Sequence, residues 1–226
     1  ERAIREATRT WEDRLEVAIR DRDGRESPLA RRYGRAFPAG YAETFTPQRA
    51  LEDIARIERL GADRPQAIDF YAHGDSGLRA RAAIYRFDAP IPLSERVPIL
   101  ENLGFKVIDE RTYRLTPTLE GTLREVCLHD MVLESADGAA IDLAPNEARL
   151  EEAFIAVFRG LAENDAFNRL VLRAGASWRE AAMMRALAGY MRQIRSPFGT
   201  RYISDTLEAH PGLARDLLEL FRIRFD

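Results

Sequence analysis

One cysteine and one lysine are all that 226 residues contain of either type, at Cys127 and Lys106. A lone cysteine excludes an intrachain disulfide and fits a reducing compartment, which points to the cytoplasm. Almost all of the 34 basic residues are therefore arginine, so chemistry that needs a lysine nucleophile or a phosphate-loop lysine has almost nowhere to reside. No apolar run approaches the roughly 18 residues of a membrane span, and no signal-peptide pattern is present, so no membrane is expected as a partner. The formal net charge is −3. A balance this close to zero gives no global field for nucleic acid, and no nucleic-acid partner is expected. No Gly-x-Gly-x-x-Gly follows a strand pattern, so no cofactor-binding residue is assigned.

Apolar residues at 46% and charged residues at 31% match a soluble globular protein, with length for one large or two small domains. Up to about Leu60 the pattern is helical. Trp11, Leu15, Ala18 and Ile19 form one stripe, broken by Gly24, Ser27 and Pro28. Thr46-Pro47 opens a second helix carrying Ala50, Leu51, Ile54, Ile57 and Leu60, with Gly61 closing it. From Gln66 the period shortens. Gln66–Ala72 and Leu78–Phe87 read as a hairpin around His73-Gly74-Asp75-Ser76-Gly77. A helix over Leu93–Leu103 follows, with Ser94 as its cap, Pro98 in its first turn and Gly104 as its stop. The order then repeats: strands Phe105–Leu115 and Leu123–Leu133, then a helix with Leu150, Ala153, Phe154, Val157, Phe158 and Leu161 in register. Two strand–strand–helix units side by side predict an α+β fold, a four-stranded antiparallel sheet with two helices on one face.

The stretch Ala162–Arg185 is crowded with polar groups: Glu163, Asn164, Asp165, Asn168, Arg169, Ser177 and Glu180. Most have a structural use. Asn164 or Asp165 sits where a cap belongs, ahead of Phe167, Leu170, Val171 and Ala174, and Gly175 ends that helix. Ser177-Trp178-Arg179-Glu180 has the spacing of a capping box, opening a helix to about Gln193, and two short helices span Phe198 to Phe225.

No catalytic or metal-binding residue is assigned. His129-Asp130 lies in a strand, where neighbours point to opposite faces, so a dyad needs a bulge. His73, His129 and His210 are scattered, and none shares a metal-site spacing with Cys127. Asp109-Glu110 reads as a solvated strand edge rather than an acid–base pair. Arg31-Arg32 and Arg79/Arg81 lack the interleaved aromatics of a base-stacking surface.

Four stretches nevertheless resemble one family: "LSERVPILENLGFKVIDERTYRL", "LHDMVL", "VFRGLAENDAFNRLVLRAGASWREAAMMRALAGYMRQ" and "HPGLARDLLELFRIRFD". Together with "TWEDRLEVAI", "RRYGRAFPAGYAETF" and "ALEDIARIERL", they are similar in order to the large bacterial NAD-dependent glutamate dehydrogenases. Ala176 stands where leucine is expected. The resemblance implies an N-terminal helical segment over 1–62, an ACT-like (ferredoxin-like, here ββαββα) domain over 63–161, and a C-terminal helical segment over 162–226 leading to a catalytic domain. A chain opening on Glu1 and ending at Asp226 is then expected to be a non-catalytic regulatory and assembly segment, with an amino-acid-binding sensor domain or a protein-interaction scaffold as the alternatives. NAD is the cofactor of the parent and none belongs to the segment. Partners are its own catalytic domain and other subunits of a homo-oligomer, and a small amino acid is a candidate effector. The resemblance also places Leu78–Phe87 as the first ACT strand, with Gln66–Ala72 moved to the front by permutation. Asp88, Pro90 and Ile91 then fall in the loop where ACT domains carry Asp-x-Pro-Gly-x-Leu. Ile91 replaces the glycine, and a branched side chain there is expected to crowd an amino-acid ligand.

Overall fold

In the computed structural model the described residues are 9–24, 26–74 and 76–225. Asp75 of the expected hairpin turn, and the terminal Glu1 and Asp226, lie outside them.

Helix α1 (Trp11–Asp23) buries Trp11, Leu15 and Ile19 and opens with a capping box. Thr10 Oγ1 accepts from the Asp13 amide at 3.1 Å, and Asp13 Oδ2 accepts from the Thr10 amide at 3.0 Å. Two short helices follow, α2 (Leu29–Tyr33) and α3 (Ala39–Thr44), too brief to show a period. Helix α4 (Pro47–Ile57) starts as the sequence predicts, with Thr46 capping the Arg49 amide and proline in the first turn, and buries Ala50, Leu51, Ile54 and Ile57. It packs against α1.

Strands β1 (Gln66–Ala72), β2 (Arg79–Phe87), β3 (Phe105–Leu115) and β6 (Val126–Ser135) make the antiparallel four-stranded sheet, in the order β1-β2-β6-β3. Helix α5 (Leu93–Asn102) follows the first strand pair, and α6 (Glu147–Phe158) follows the second. The two helices pack on each other. This is the expected α+β, ACT-like order. Strand β6 is buried almost continuously from Val126 to Leu133, as a central strand covered on both faces must be. Strand β3 is mostly exposed and lies at the sheet's edge, where Asp109 and Glu110 were expected.

Two local expectations need correction. The last long strand begins at Val126 rather than Leu123, because Thr118–Leu123 folds on itself. Strands β4 (Thr118–Leu119) and β5 (Thr122–Leu123) pair around Glu120-Gly121, whose φ values are +50° and +78°. Two successive positive φ angles make the tight turn whose twist matches paired strands. Ser94 does not cap α5 either. The helix starts at Leu93 after Pro92, without a side-chain cap, so Pro98 sits inside it and removes the amide that Ser94's carbonyl needs.

The chain packs as two units. The first comprises the described residues of Glu1–Ala67, Ala83–Pro90 and Arg111–Asp130; the second those of Ile68–Ala82, Ile91–Glu110 and Met131–Asp226. In the first, Trp11, Phe37, Tyr41 and Tyr113 form a ring cluster with centroids 4.6–5.9 Å apart. In the second, a 3₁₀ turn (Ala166–Asn168) and helices α7 (Arg169–Ala174), α8 (Trp178–Gln193), α9 (Thr200–Ala209) and α10 (Pro211–Phe225) bury Phe167, Leu170, Met184, Leu207 and Leu218 together.

Candidate functional site

The polar crowd between Glu163 and Glu180 is structural punctuation. Asp165 accepts from the Phe167 amide at 3.0 Å and caps the 3₁₀ turn. Its carboxylate also receives Arg185 through two bonds of 2.6 and 2.8 Å, and Arg185 reaches Asn168 at 2.9 Å. Asn164 pairs with Asn102, and Arg169 with Glu208 at 2.7 Å. Gly175 adopts φ +67° to end α7, and the Ser177–Glu180 capping box is present as the spacing predicts.

His129 and Asp130 are both buried in β6, and His129 Nδ1 shares a hydrogen bond of 2.8 Å with Thr112. Cys127 is buried beside Glu125, and burial first, then that carboxylate, pushes its thiol up, away from reactivity. His73 Nδ1 accepts from Arg81 at 3.1 Å. Glu110 differs from the solvated carboxylate expected at an edge. It pairs at 2.5 Å with Arg96, which is only 3% exposed. Neither residue type nor spacing signals this pair, because Arg96 sits on α5 and Glu110 on β3.

A second unannounced cluster is a buried carboxylate in the first unit. Asp53 is held by the Tyr41 hydroxyl at 2.5 Å, the Tyr85 hydroxyl at 2.8 Å and Arg49 at 2.7 Å. The i,i+4 spacing of Arg49 and Asp53 on an otherwise apolar helix face was its one sequence signal. The contacts named here are internal to the first unit and hold its fold. Asp69, Glu147 and Glu151 also bring carboxylate oxygens within 4.8 Å of one another. Asp69 is buried and Glu151 half-buried, so the group lies at the edge of the core.

The loop that the sequence nominates is laid out residue by residue. Asp88 is exposed and centres a three-residue turn: its φ is +67°, and the Ala89 amide donates to the Phe87 carbonyl at 2.8 Å. Its own amide donates to the Glu125 carbonyl at 3.0 Å, and its carboxylate meets Arg124 at 3.2 Å. Pro90 is exposed. Ile91 is 1% exposed in the second unit, and its carbonyl accepts from Arg96 Nη1. Its side chain is a core group.

Helix α8 carries two apolar stripes. Ala181, Met184 and Ala188 face the bundle core. Leu187, Tyr190 and Met191 on the helix and Ile194 at its C-cap, spaced i, i+3, i+4 and i+7, are exposed. Leu213, Leu217, Leu220 and Ile223 form a second exposed stripe on α10, where Ile223 reaches 77%. Apolar stripes on helices ordinarily face a core, and exposed ones mark contact surfaces. Among the described residues, no helix is long and apolar enough to cross a membrane.

Three family descriptions match the chain: "Glutamate dehydrogenase, helical motif 2" over residues 23–60, "Glutamate dehydrogenase, ACT3 domain" over 65–145, and "Glutamate dehydrogenase, helical motif 3" over 162–226. Among curated proteins, NAD-specific glutamate dehydrogenase from Pseudomonas aeruginosa is 38% identical over 230 residues, covering 100% of this chain. The protein of that name from Halomonas elongata is 38% identical over 96% of the chain, and that from Mycobacterium tuberculosis 32% over 98%. The chain spans 14% of the length of each of these relatives.

Proposed function

We infer the role of this chain from the glutamate dehydrogenase family to which it belongs, since it carries that family's ACT3 domain and helical motifs 2 and 3. It is a non-catalytic regulatory and assembly segment that precedes the catalytic domain of an NAD-dependent glutamate dehydrogenase. The parent oxidises L-glutamate to 2-oxoglutarate and ammonia, passing hydride to NAD, and does so in the cytoplasm. Residues 1–62 form a helical lead-in, 63–161 the ACT-like domain, and 162–226 the helical segment toward the catalytic part. The partners of the segment are that catalytic domain and the other subunits of a homo-oligomer.

The observation that carries this reading is the pair of exposed apolar stripes on α8 and α10. They belong to the segment matched by helical motif 3, and the relatives are far longer than this chain. The remainder of the parent polypeptide is therefore the occupant that covers them. Glutamate-dependent NAD reduction tests the division of labour. The full-length polypeptide should turn over, and residues 1–226 alone, checked for helix and strand content by circular dichroism, should not. Turnover by the chain alone contradicts the reading.

A second reading, an amino-acid sensor using Asp88, Pro90 and Ile91, has one observation in its favour: the strained turn centred on exposed Asp88. Saturable amino-acid binding by the unaltered protein that Asp88→Ala weakens supports this reading. Binding that appears only in Ile91→Gly shows that the isoleucine side chain closes the site, and binding by neither protein removes the reading.

A further inference from the structure

Within the first packing unit, the end of α4 and the linker after it, the last residue of β2 and the β4–β5 hairpin enclose a cleft of about 530 Å³. That volume is in the range of small-molecule sites. Its larger apolar lining residues are Ile57, Leu60, Phe87, Leu119 and Leu123. Leu123 is 72% exposed on a two-residue strand, so the fold gains little by keeping a leucine there.

The cleft also holds a presented cation. The Arg124 guanidinium lies 3.7 Å from the centroid of the Phe87 ring, an arrangement that fixes the plane of its donor fork. Among the described residues it pairs with Asp88, an exposed carboxylate at 3.2 Å. Exposed pairs of this kind contribute little, so an incoming carboxylate can take Asp88's place. The other arginine of the lining, Arg32, is satisfied differently. It pairs with Glu58 at 2.7 Å, and the Tyr33 hydroxyl donates to the same carboxylate at 2.7 Å. Burial, then Glu58, pushes that tyrosine's pKa upward, so the hydroxyl keeps its proton. The Arg32 side of the cleft is thus locked, and the Arg124 side is exchangeable.

Backbone strain marks the same place. Among the described residues, the non-glycine positions with positive φ are Asp88, Glu120 and Arg195. Glu120 lines the cleft, and Asp88 holds its arginine. The first position of the Glu120-Gly121 turn favours asparagine, aspartate or glycine; glutamate has no such preference. Strain of this kind tends to persist where a site uses it.

We propose that this cleft binds a small carboxylate with an aliphatic body, its carboxyl group on Arg124 and its chain against Leu119, Leu123 and Ile57. Binding displaces Asp88 from Arg124 and so reaches the Asp88–Ile91 loop. The cleft lies beside that loop, with Asp88 as the only loop residue it uses, and the proposal stands whether or not the segment's regulatory role holds. A free fatty-type acid and an α-amino acid share this chemistry.

Equilibrium dialysis of the full-length polypeptide against hexanoate, norleucine, hexylamine and acetate tests it, repeated with Leu123→Ser and Arg124→Gln. Both side chains are exposed, and matching unfolding temperatures verify that losing the Leu123 side chain or the Arg124 contact to Phe87 leaves the fold intact. Saturable hexanoate or norleucine binding is expected, weakened roughly tenfold by each substitution, the scale of one charge-assisted bond or a few buried methylenes. Hexylamine and acetate should bind far more weakly. Equal affinity for hexanoate and norleucine identifies a free acid as sufficient, and tighter norleucine identifies an amino acid. Absence of saturable binding by both, hexylamine binding as tight as hexanoate, or affinity unchanged in either variant overturns the proposal.

Discussion

Arg222 on α10 donates to Glu180 Oε1 at 2.7 Å, while Glu180 Oε2 accepts from the Ser177 amide at 2.7 Å. One carboxylate therefore caps α8 and ties it to a helix far along the chain. Burial opposes the charge, but the Ser177 amide and Arg222 hold the Glu180 carboxyl below the usual range. A depressed folded pKa contributes stability that is present above the unfolded value and is lost as pH falls through the folded one. Urea midpoints should therefore drop on going from neutral pH to pH about 3, and Glu180→Gln should remove part of that drop. At neutral pH, Glu180→Ala should cost about 1–2 kcal/mol, the scale of a lost cap.

Asp53 supplies a stronger test of the first unit. Its carboxylate is buried with Tyr41, Tyr85 and Arg49 around it. Asp53→Ala takes the shared acceptor from the Tyr41 and Tyr85 hydroxyls and from Arg49, which keeps Glu52 at 3.0 Å, and should cost about 1–3 kcal/mol in urea unfolding. Asp53→Asn keeps an acceptor and should cost less. A loss under about 1 kcal/mol for the alanine variant contradicts the account.

How much of this was legible in the sequence depended on range. The Ser177–Glu180 box, the Thr46 cap and the ββαββα order lie within a few residues or one repeat, and the chain folds them as its patterns predict. The β4–β5 hairpin was hidden because glutamate at Glu120 is the wrong residue type for its turn. The Arg96–Glu110 pair and the cleft around Arg124 join residues that only the tertiary fold brings together. The exposed stripes on α8 and α10 were invisible for another reason. Helical spacing says that leucines share a face, and it does not say what covers that face.

Glu120 offers a gain of stability. A left-handed backbone costs an ordinary side chain about 1–2 kcal/mol, and asparagine tolerates it better. Glu120→Asn should raise the unfolding free energy by about 1 kcal/mol. An unchanged or lower value contradicts the reading of this turn as strained.

Ile91 is placed in the core, with 1% exposure. Ile91→Ala should therefore cost about 2–5 kcal/mol, as other large-to-small core changes do. A neutral effect in thermal or urea unfolding would show that its side chain is not packed as described.

The central claim is that the apolar stripes on α8 and α10 dock the rest of the parent polypeptide. Leu220 and Ile223 are exposed on α10, so Leu220→Glu with Ile223→Glu should leave this chain's own core intact. Sedimentation velocity of the full-length protein, wild type against this double variant, tests the claim most directly. The account predicts a smaller or more extended particle for the variant, from lost subunit association or undocked domains. Identical sedimentation of the two proteins contradicts it.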